Sequence, residues 1–288
     1  MQTRKMHSRE LGLVLARQLL DMQDLHYGLW DGGLEVKLGN LVIAQQRYND
    51  MLIAQLPRPD REVRVLDIGC GAGHLLRQLL DRGYLADGVI PSKELGGAVR
   101  RRLADHAGYP SRIFECRFED LPVEQCRRYY DVALFSESFQ YIPLSASLAR
   151  LPEILKPGGL LIICDFFKSD ALGDGGPGDR SFGGGHPLRE FYAAIQQTPF
   201  VRIKDEDITR RISPSLGLVN DLLMHRLKPA ARTLGGYLES NYPILTWLAS
   251  KLLRRKLDKL NYKYFSGHRS KEVFERYKTY RLMLYRLP

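Results

Sequence analysis

The sequence predicts an α/β protein built on a doubly wound, mostly parallel sheet, and three observations predict it. From residue 63 to about 208, apolar runs of strand length alternate with helical segments, the pattern of a sheet covered on both faces. The first run, Val63-Arg64-Val65-Leu66, ends in Asp67-Ile68-Gly69-Cys70-Gly71-Ala72-Gly73, a glycine turn that opens onto a helix. A later turn, Lys156-Pro157-Gly158-Gly159, leads into another buried run, Leu160 to Phe167.

The elements follow in order. Ser8 to Met22 places Leu11, Val14, Leu15 and Leu19 on one helical face, and Leu41 to Leu56 is a second amphipathic helix ended by Pro57 and Pro59. Between them lies an aromatic, glycine-rich segment, Leu25 to Gly33. After the glycine turn come a helix (His74 to Leu80), a strand (Leu85 to Ile90), a basic helix (Lys93 to Ala104) and a short strand (Arg112 to Cys116). A fourth strand, Tyr130 to Glu137, precedes a helix, Ser145 to Leu155. Gly173 to Gly185 holds seven glycines and a proline and reads as a mobile loop. Arg189 to Gln197 is the next helix and Phe200 to Ile208 the sixth strand. Thr209 to about Arg269 is mainly helical, with breaks expected at Pro214, Pro229, Gly235-Gly236 and Pro243.

The dinucleotide fingerprint Gly-x-Gly-x-x-Gly would put its third glycine at position 74, which is His74. Here the glycines fall at 69, 71 and 73, and the acid stands two residues before the first of them. This arrangement resembles motif I of the class I S-adenosylmethionine (SAM)-dependent methyltransferases, and the resemblance covers residues 61 to about 208. It implies a seven-stranded Rossmann-like methyltransferase sheet, with Tyr277 to Leu287 as the last, antiparallel strand. The expected organisation is an N-terminal helical arm or lid (1–59), a SAM-binding core (60–208), a basic helical cap inserted before the last strand (209–272) and the final strand (273–288).

The resemblance also implies a cofactor site. Asp67 would organise the turn and hold the methionine end of S-adenosyl-L-methionine, and Gly69 and Gly71 would allow close backbone approach. An acid normally takes the ribose hydroxyls at the end of the second strand, since a carboxylate accepts two hydrogen bonds. This chain has Ile90 there, which leaves Ser92 or a backbone group. Phe118 and Glu119 fit the loop that holds adenine, although Glu119 equally suits a solvated loop. Tyr27 and Trp30 resemble a lid over the methionine end, or else a hydrophobic staple between two helices. Ser136 completes the cofactor set at the end of the fourth strand, where open α/β sheets place ligands.

Catalytic candidates are Glu137 and Tyr141, which can hydrogen-bond a substrate or act as a base, and His186, a glycine-flanked loop residue suited to proton transfer near neutral pH. Local helix capping is the alternative for Glu137 and His186. The Asp/Asn-Pro-Pro-aromatic tetrapeptide of enzymes methylating base amino groups is missing after the fourth strand, as is the Pro-Cys dipeptide of cytosine C5 enzymes. Four cysteines, at 70, 116, 126 and 164, lack metal-ligand spacing and read as free thiols.

With 44% apolar and 26% charged residues in a chain of 288, the composition is that of a globular protein rather than a disordered one. Met1 to Glu10 has no apolar h-region, and no run reaches the roughly 18 residues needed to span a bilayer, so a cytoplasmic location is expected. From 225 to 288 there are 15 Lys and Arg against 4 Asp and Glu, or +11, whereas residues 1–224 sum to −1. A solvated face explains such an excess, as does an anionic partner such as a membrane surface or an acidic carrier protein. Tyr242 to Tyr264 interleaves apolar and basic residues as an amphipathic helix does.

The sequence therefore predicts a SAM-dependent methyltransferase. It would transfer a methyl group in line to an O, C or N nucleophile of a small, partly apolar, lipid-like or carrier-bound substrate. The chamber would lie between the loop after the fourth strand, the His186 loop, the N-terminal aromatics and the cap. The alternatives are an RNA or protein methyltransferase using the basic region, or a SAM-fold binding protein without activity.

Overall fold

The computed structural model describes residues 26–288; the helix expected over Ser8 to Met22 lies outside them. Helix α1 (Leu41–Ile53) buries Leu41, Ala44, Tyr48 and Leu52, spaced three or four apart, the last two in the main core and the first two against Trp30. It ends three residues earlier than expected, before the Pro57 and Pro59 segment. Strand β1 (Arg64–Ile68) is an interior strand of the sheet: Val65 to Ile68 are all buried, and parallel neighbours lie on both sides. Helix α2 (His74–Asp81) follows the glycine turn and leads to β2 (Leu85–Val89). Helix α3 (Lys93–Leu103) leads to β3, only Ile113–Phe114. Then come β4 (Tyr130–Ser136), α4 (Leu144–Ile154), β5 (Leu155–Lys168), α5 (Leu188–Ile195) and β6 (Val201–Asp207). The Lys156-Pro157-Gly158-Gly159 turn is absorbed into β5 as a bulge, with a register shift against β4 and Gly158 at φ +77°.

The cap opens with one turn at Thr209–Ile212 and α6 (Pro214–Leu222), which place Ile212 and Leu216 in the core. A π-helical turn (Leu223–Leu227) passes into α7 (Lys228–Asn241), and α8 (Pro243–Leu260) returns antiparallel to a second π-turn, Asn261–Phe265. Helix α9 (Lys271–Tyr277) buries Phe274 and Tyr277 and hands the chain to β7 (Lys278–Arg286). Two expected breaks do not occur. Pro229 sits in the first turn of α7, where its missing N–H has no intrahelical partner to lose. Gly235-Gly236 costs that helix only about 1 kcal/mol per residue, too little to interrupt it.

The sheet runs β3-β2-β1-β4-β5-β7-β6. Strand β7 is antiparallel to both neighbours, pairing Ile162 with Leu284 on one side and Glu206 with Leu282 on the other. The order reverses between β1 and β4, so a crevice opens beyond their C-terminal ends. A buried cluster supports the other half of β2. Asp87, wholly buried, takes Arg112 Nε and the Tyr130 hydroxyl at 2.8 Å each, and the Arg112 guanidinium lies 4.3 Å from the Tyr129 ring centre.

The glycine loop after β5 is tethered at several points. Asp174 receives Arg276 and the Tyr277 hydroxyl, and Lys278 Nζ donates to the Gly184 carbonyl at 2.7 Å. Lys278 is 1% exposed. Burial, reinforced by Lys168 and opposed by Asp165, depresses its pKa from 10.5 to about 8. The folded state therefore disfavours the charged amine. That penalty is complete below about pH 8 and gone above pH 10.5. Lys278→Met should accordingly stabilise the fold by about 2 kcal/mol at pH 7, and thermal melts should show the gain vanishing above pH 10.5. A gain independent of pH would mean that apolar packing, not charge burial, sets the effect.

Candidate cofactor and substrate site

A cavity of about 530 Å³ occupies the crevice where β1, β2 and β4 end, a size typical of small-molecule sites. Asp67, Gly69, Gly71, Phe118, Glu119, Ser136, Glu137 and Tyr141 line it, so the structure brings together eight of the twelve residues singled out from the sequence. At Gly69 (φ +83°) an added Cβ would strike the Ser138 Cβ at 2.4 Å, so that glycine is required by packing. Gly71 (φ +55°) differs, because a Cβ there would meet nothing within 4 Å. It projects into the cavity, which makes the backbone at 71 an open cradle for a ligand. Asp67 is 1% exposed and forms part of the same wall. Phe118 is buried edge-on to Phe135, with ring centres 5.7 Å apart.

Three candidates stand elsewhere. Ser92 caps α3, its hydroxyl accepting the Leu95 N–H at 3.3 Å. Trp30 is 7% exposed and turns toward the base of the cap, where its Nε1 donates to Ser215 Oγ at 2.8 Å. An aromatic with a polar edge satisfies both needs there, packing with Leu41 and Ala44 while its N–H finds a partner. His186 packs on Phe139, ring centres 5.4 Å apart, with Nε2 3.2 Å from the Phe139 carbonyl oxygen. It neither caps α5 nor belongs to the cavity wall.

The Tyr27 side chain also turns away, edge-on to Phe274 and Tyr280, and the residue touches the site only through its N–H, donated to Glu137 of the wall. His26 beside it borders the cavity with its Nε2 buried, and the sequence reading passed it over. His26 stacks on Tyr48 at 4.5 Å, and its Nδ1 lies 2.8 Å from the Tyr27 carbonyl oxygen. A carbonyl only accepts, so the neutral ring carries its proton on Nδ1 and leaves Nε2 as the basic nitrogen. The one sequence signal for it is its place in the same glycine-flanked aromatic segment. Gly28 fixes that segment: a Cβ there would sit 2.5 Å from the Ala44 Cβ, and the Gly28 N–H donates to Ser215 Oγ at 3.0 Å.

Glu137 holds the same segment from below. Its Oε1 accepts the Tyr27 N–H at 2.9 Å and the Tyr280 hydroxyl at 2.8 Å. Burial, then Glu137, raises the Tyr280 pKa well above the usual phenol range, so Tyr280 stays a donor. Glu137 adopts φ +53°, a conformation that side chains other than glycine rarely take; such strain commonly falls at functional sites. Tyr141, 65% exposed, stands at the rim. Cys70 also lines the wall, but burial and then Asp67 push its thiol pKa well up, so it remains a neutral thiol rather than a nucleophile. At the end of β2 the wall is Ile90 and Pro91, and the polar side chains of the nearby 117–119 segment are Arg117 and Glu119. Among the described residues, none from the cap lines the cavity. The chamber is therefore formed without the cap and the His186 loop that the sequence assigned to it.

Comparison with known proteins agrees with this architecture. The methyltransferase-domain family matches residues 43–202. The chain belongs to that family, the class I SAM-dependent methyltransferases. Among curated relatives, the ubiquinone biosynthesis O-methyltransferase of Rhodopseudomonas palustris (strain BisB18) is 32% identical over 114 residues, 38% of this chain and 43% of that protein. The malonyl-acyl-carrier protein O-methyltransferase of Enterobacter lignolyticus (strain SCF1) is 27% identical over 157 residues, 54% of this chain and 53% of that protein. The chain thus spans about half the length of the curated relatives it matches. Among solved structures, the geranyl diphosphate C-methyltransferase of Streptomyces coelicolor A3(2), in complex with Mg2+, geranyl-S-thiolodiphosphate and S-adenosyl-L-homocysteine, superposes with a TM-score of 0.65. That likeness covers 96% of this chain and 92% of the other at 16% identity, and at that identity what the two share is the fold.

Proposed function

We propose that this chain binds S-adenosyl-L-methionine in the cavity beyond β1 and β4 and methylates a small, partly apolar acceptor that carries a dissociable proton, foremost a hydroxyl. The observation that carries the reading is the open backbone cradle at Gly71, set beside buried Asp67 in the cavity wall. The cofactor would be held by Asp67 and the 69–73 turn at one end and by Phe118 and Glu119 at the other. With no acid at the end of β2, the ribose hydroxyls fall to the other polar groups there, Arg117 and Glu119. When bound, the cofactor supplies a methyl already made electrophilic by its sulfonium, so positioning provides most of the acceleration.

The chain's own residues then have separate tasks. His26 borders the cavity with its Nε2 buried, and it would take the acceptor's proton once the bound acceptor reaches that nitrogen, the Tyr27 carbonyl fixing the tautomer. Glu137, occupied by the Tyr27 N–H and Tyr280, is a positioning residue that holds the His26 segment against the cavity. Tyr141 at the rim hydrogen-bonds the incoming acceptor. The apolar wall, Ile68, Leu75, Val89, Ile90 and Ile142 among it, suits an acceptor with an apolar body, in keeping with the named activities of the relatives.

The test is a metabolite extract incubated with methyl-labelled cofactor. Label should enter a small, partly apolar product. Label confined to RNA or protein would move the chain to the rival enzyme class, and absence of cofactor binding by calorimetry would make it an inactive member of the fold. Once an acceptor is in hand, His26→Gln should lower kcat by about 100-fold and remove the acid limb of the rate profile, with cofactor affinity unchanged. An unchanged pH profile would remove His26 from proton transfer.

A further inference from the structure

The α7–α8 hairpin stands off the rest of the chain. Neither helix has a buried residue, yet both are rich in large apolar side chains. Ile244 is 80% exposed, Leu252 76% and Trp247 60%, with Leu234, Tyr237, Tyr242, Leu245 and Leu248 also exposed. A patch of this extent on a monomer marks an interaction surface.

Its charge distribution identifies the surface it fits. Residues 240–250, the turn between the helices and the first half of α8, carry no charge. Residues 251–259 then carry five Lys and Arg, all exposed, against the single Asp258. Charge is therefore confined to the second half of α8, while exposed apolar side chains run its whole length, Leu252, Leu253, Leu257 and Leu260 among the basic residues. A helix that docks in a protein groove needs an apolar stripe on one face, at spacings of three and four. A helix that enters a lipid surface by its tip needs this axial order instead, because polarity changes with depth: aliphatic side chains lowest, amphipathic aromatics at the boundary, and cations level with the phosphates. Tyr237, Tyr242 and Trp247 supply the aromatics, and Lys251 Nζ lies 4.8 Å from the Trp247 ring centre. Among the described residues no helix is long and apolar enough to cross a membrane, so such an element rests in the interface rather than spanning it.

We propose that the α7–α8 hairpin docks this protein on an anionic phospholipid surface, its uncharged tip inserted between headgroups and the Lys251–Lys259 segment paired with lipid phosphates. The geometry is independent of the methyl-transfer reading, so either proposal can fail without the other.

The test uses the full chain with vesicles of phosphatidylcholine, with and without phosphatidylglycerol. Co-sedimentation should require phosphatidylglycerol and weaken as salt rises, since the attraction is screened over about 10 Å at 0.1 M. The chain has two tryptophans, and Trp30 is buried, so a blue shift of emission on binding, quenched by brominated lipid, reports Trp247. Leu245→Ser with Trp247→Ser, and separately Arg254→Glu with Arg255→Glu and Lys256→Glu, should each weaken vesicle binding more than about tenfold. All five positions are exposed, so melting temperature and cofactor affinity should stay unchanged. Equal binding to both vesicle types would overturn the proposal. So would burial of Trp247 in a dimer seen by ultracentrifugation, or salt-sensitive capture by an acyl carrier protein or RNA with none by vesicles.

Discussion

Gly71→Val is expected to abolish S-adenosyl-L-methionine binding while leaving the chain folded. The wild-type backbone there has φ +55°, which a β-branched residue adopts only at a cost of roughly 1–2 kcal/mol, so a modest drop in melting temperature accompanies the change. The larger effect is steric. A Cβ there meets no protein atom within 4 Å, so the valine methyls extend from it into the space in which the ligand approaches the turn. Calorimetry on a variant with wild-type circular dichroism should show affinity reduced more than about 100-fold, a loss of roughly 3 kcal/mol. Wild-type affinity in that variant would mean the cofactor lies elsewhere. Gly69→Ala is the control: its Cβ collides with Ser138, so it should damage stability before it damages binding.

Arg112→Met is expected to produce the largest loss of stability, about 3–5 kcal/mol. Asp87 is wholly buried in β2, and the Arg112 side chain supplies the cation beside it, with NH2 at 2.7 Å from Oδ2. Methionine keeps much of the volume and the packing on Tyr129 but leaves a buried carboxylate with only neutral donors, the main-chain N–H of residue 112, Tyr130 and Tyr109. Urea unfolding should show the midpoint falling sharply. Adding Asp87→Asn to the same variant should recover most of the loss, because the uncompensated charge is then gone. A loss below about 1 kcal/mol, the scale of a surface ion pair, would mean that solvent reaches Asp87.

What was legible in the sequence was local. The glycine turn and the strand runs depend on apolar periodicity and turn chemistry within a few residues, so β1 to β6 fall close to where the pattern put them, and β7 falls where the family resemblance put it. Asp67, Gly69 and Gly71 follow directly from the turn. Residues whose place depends on distant contacts were harder. His26 reaches the cavity because Gly28 and Trp30 are bonded to Ser215, a partner 185 or more residues away, and no spacing in the sequence encodes that. His186 sits among glycines that give its loop local freedom, yet the ring is held on Phe139. The basic excess of the cap is in the sequence itself, but apolar spacing tells which residues seek cover and not whether the fold provides it, and α7 and α8 bury none.

The place of β7 in the sheet has a consequence for how the chain is made. Strand β6 pairs only with β7, and β5 has β7 as its outer neighbour, while residues 208–277 separate β6 from β7 in sequence. During N-to-C synthesis the sheet therefore stops at β5 until α6 to α9 have emerged. The open edge meanwhile is Leu160 to Phe167, one of the most hydrophobic stretches of the chain and a ready template for pairing with other chains. The interval between translating β5 and translating β7 is thus the period of greatest aggregation risk, and slower elongation through the cap would lengthen it.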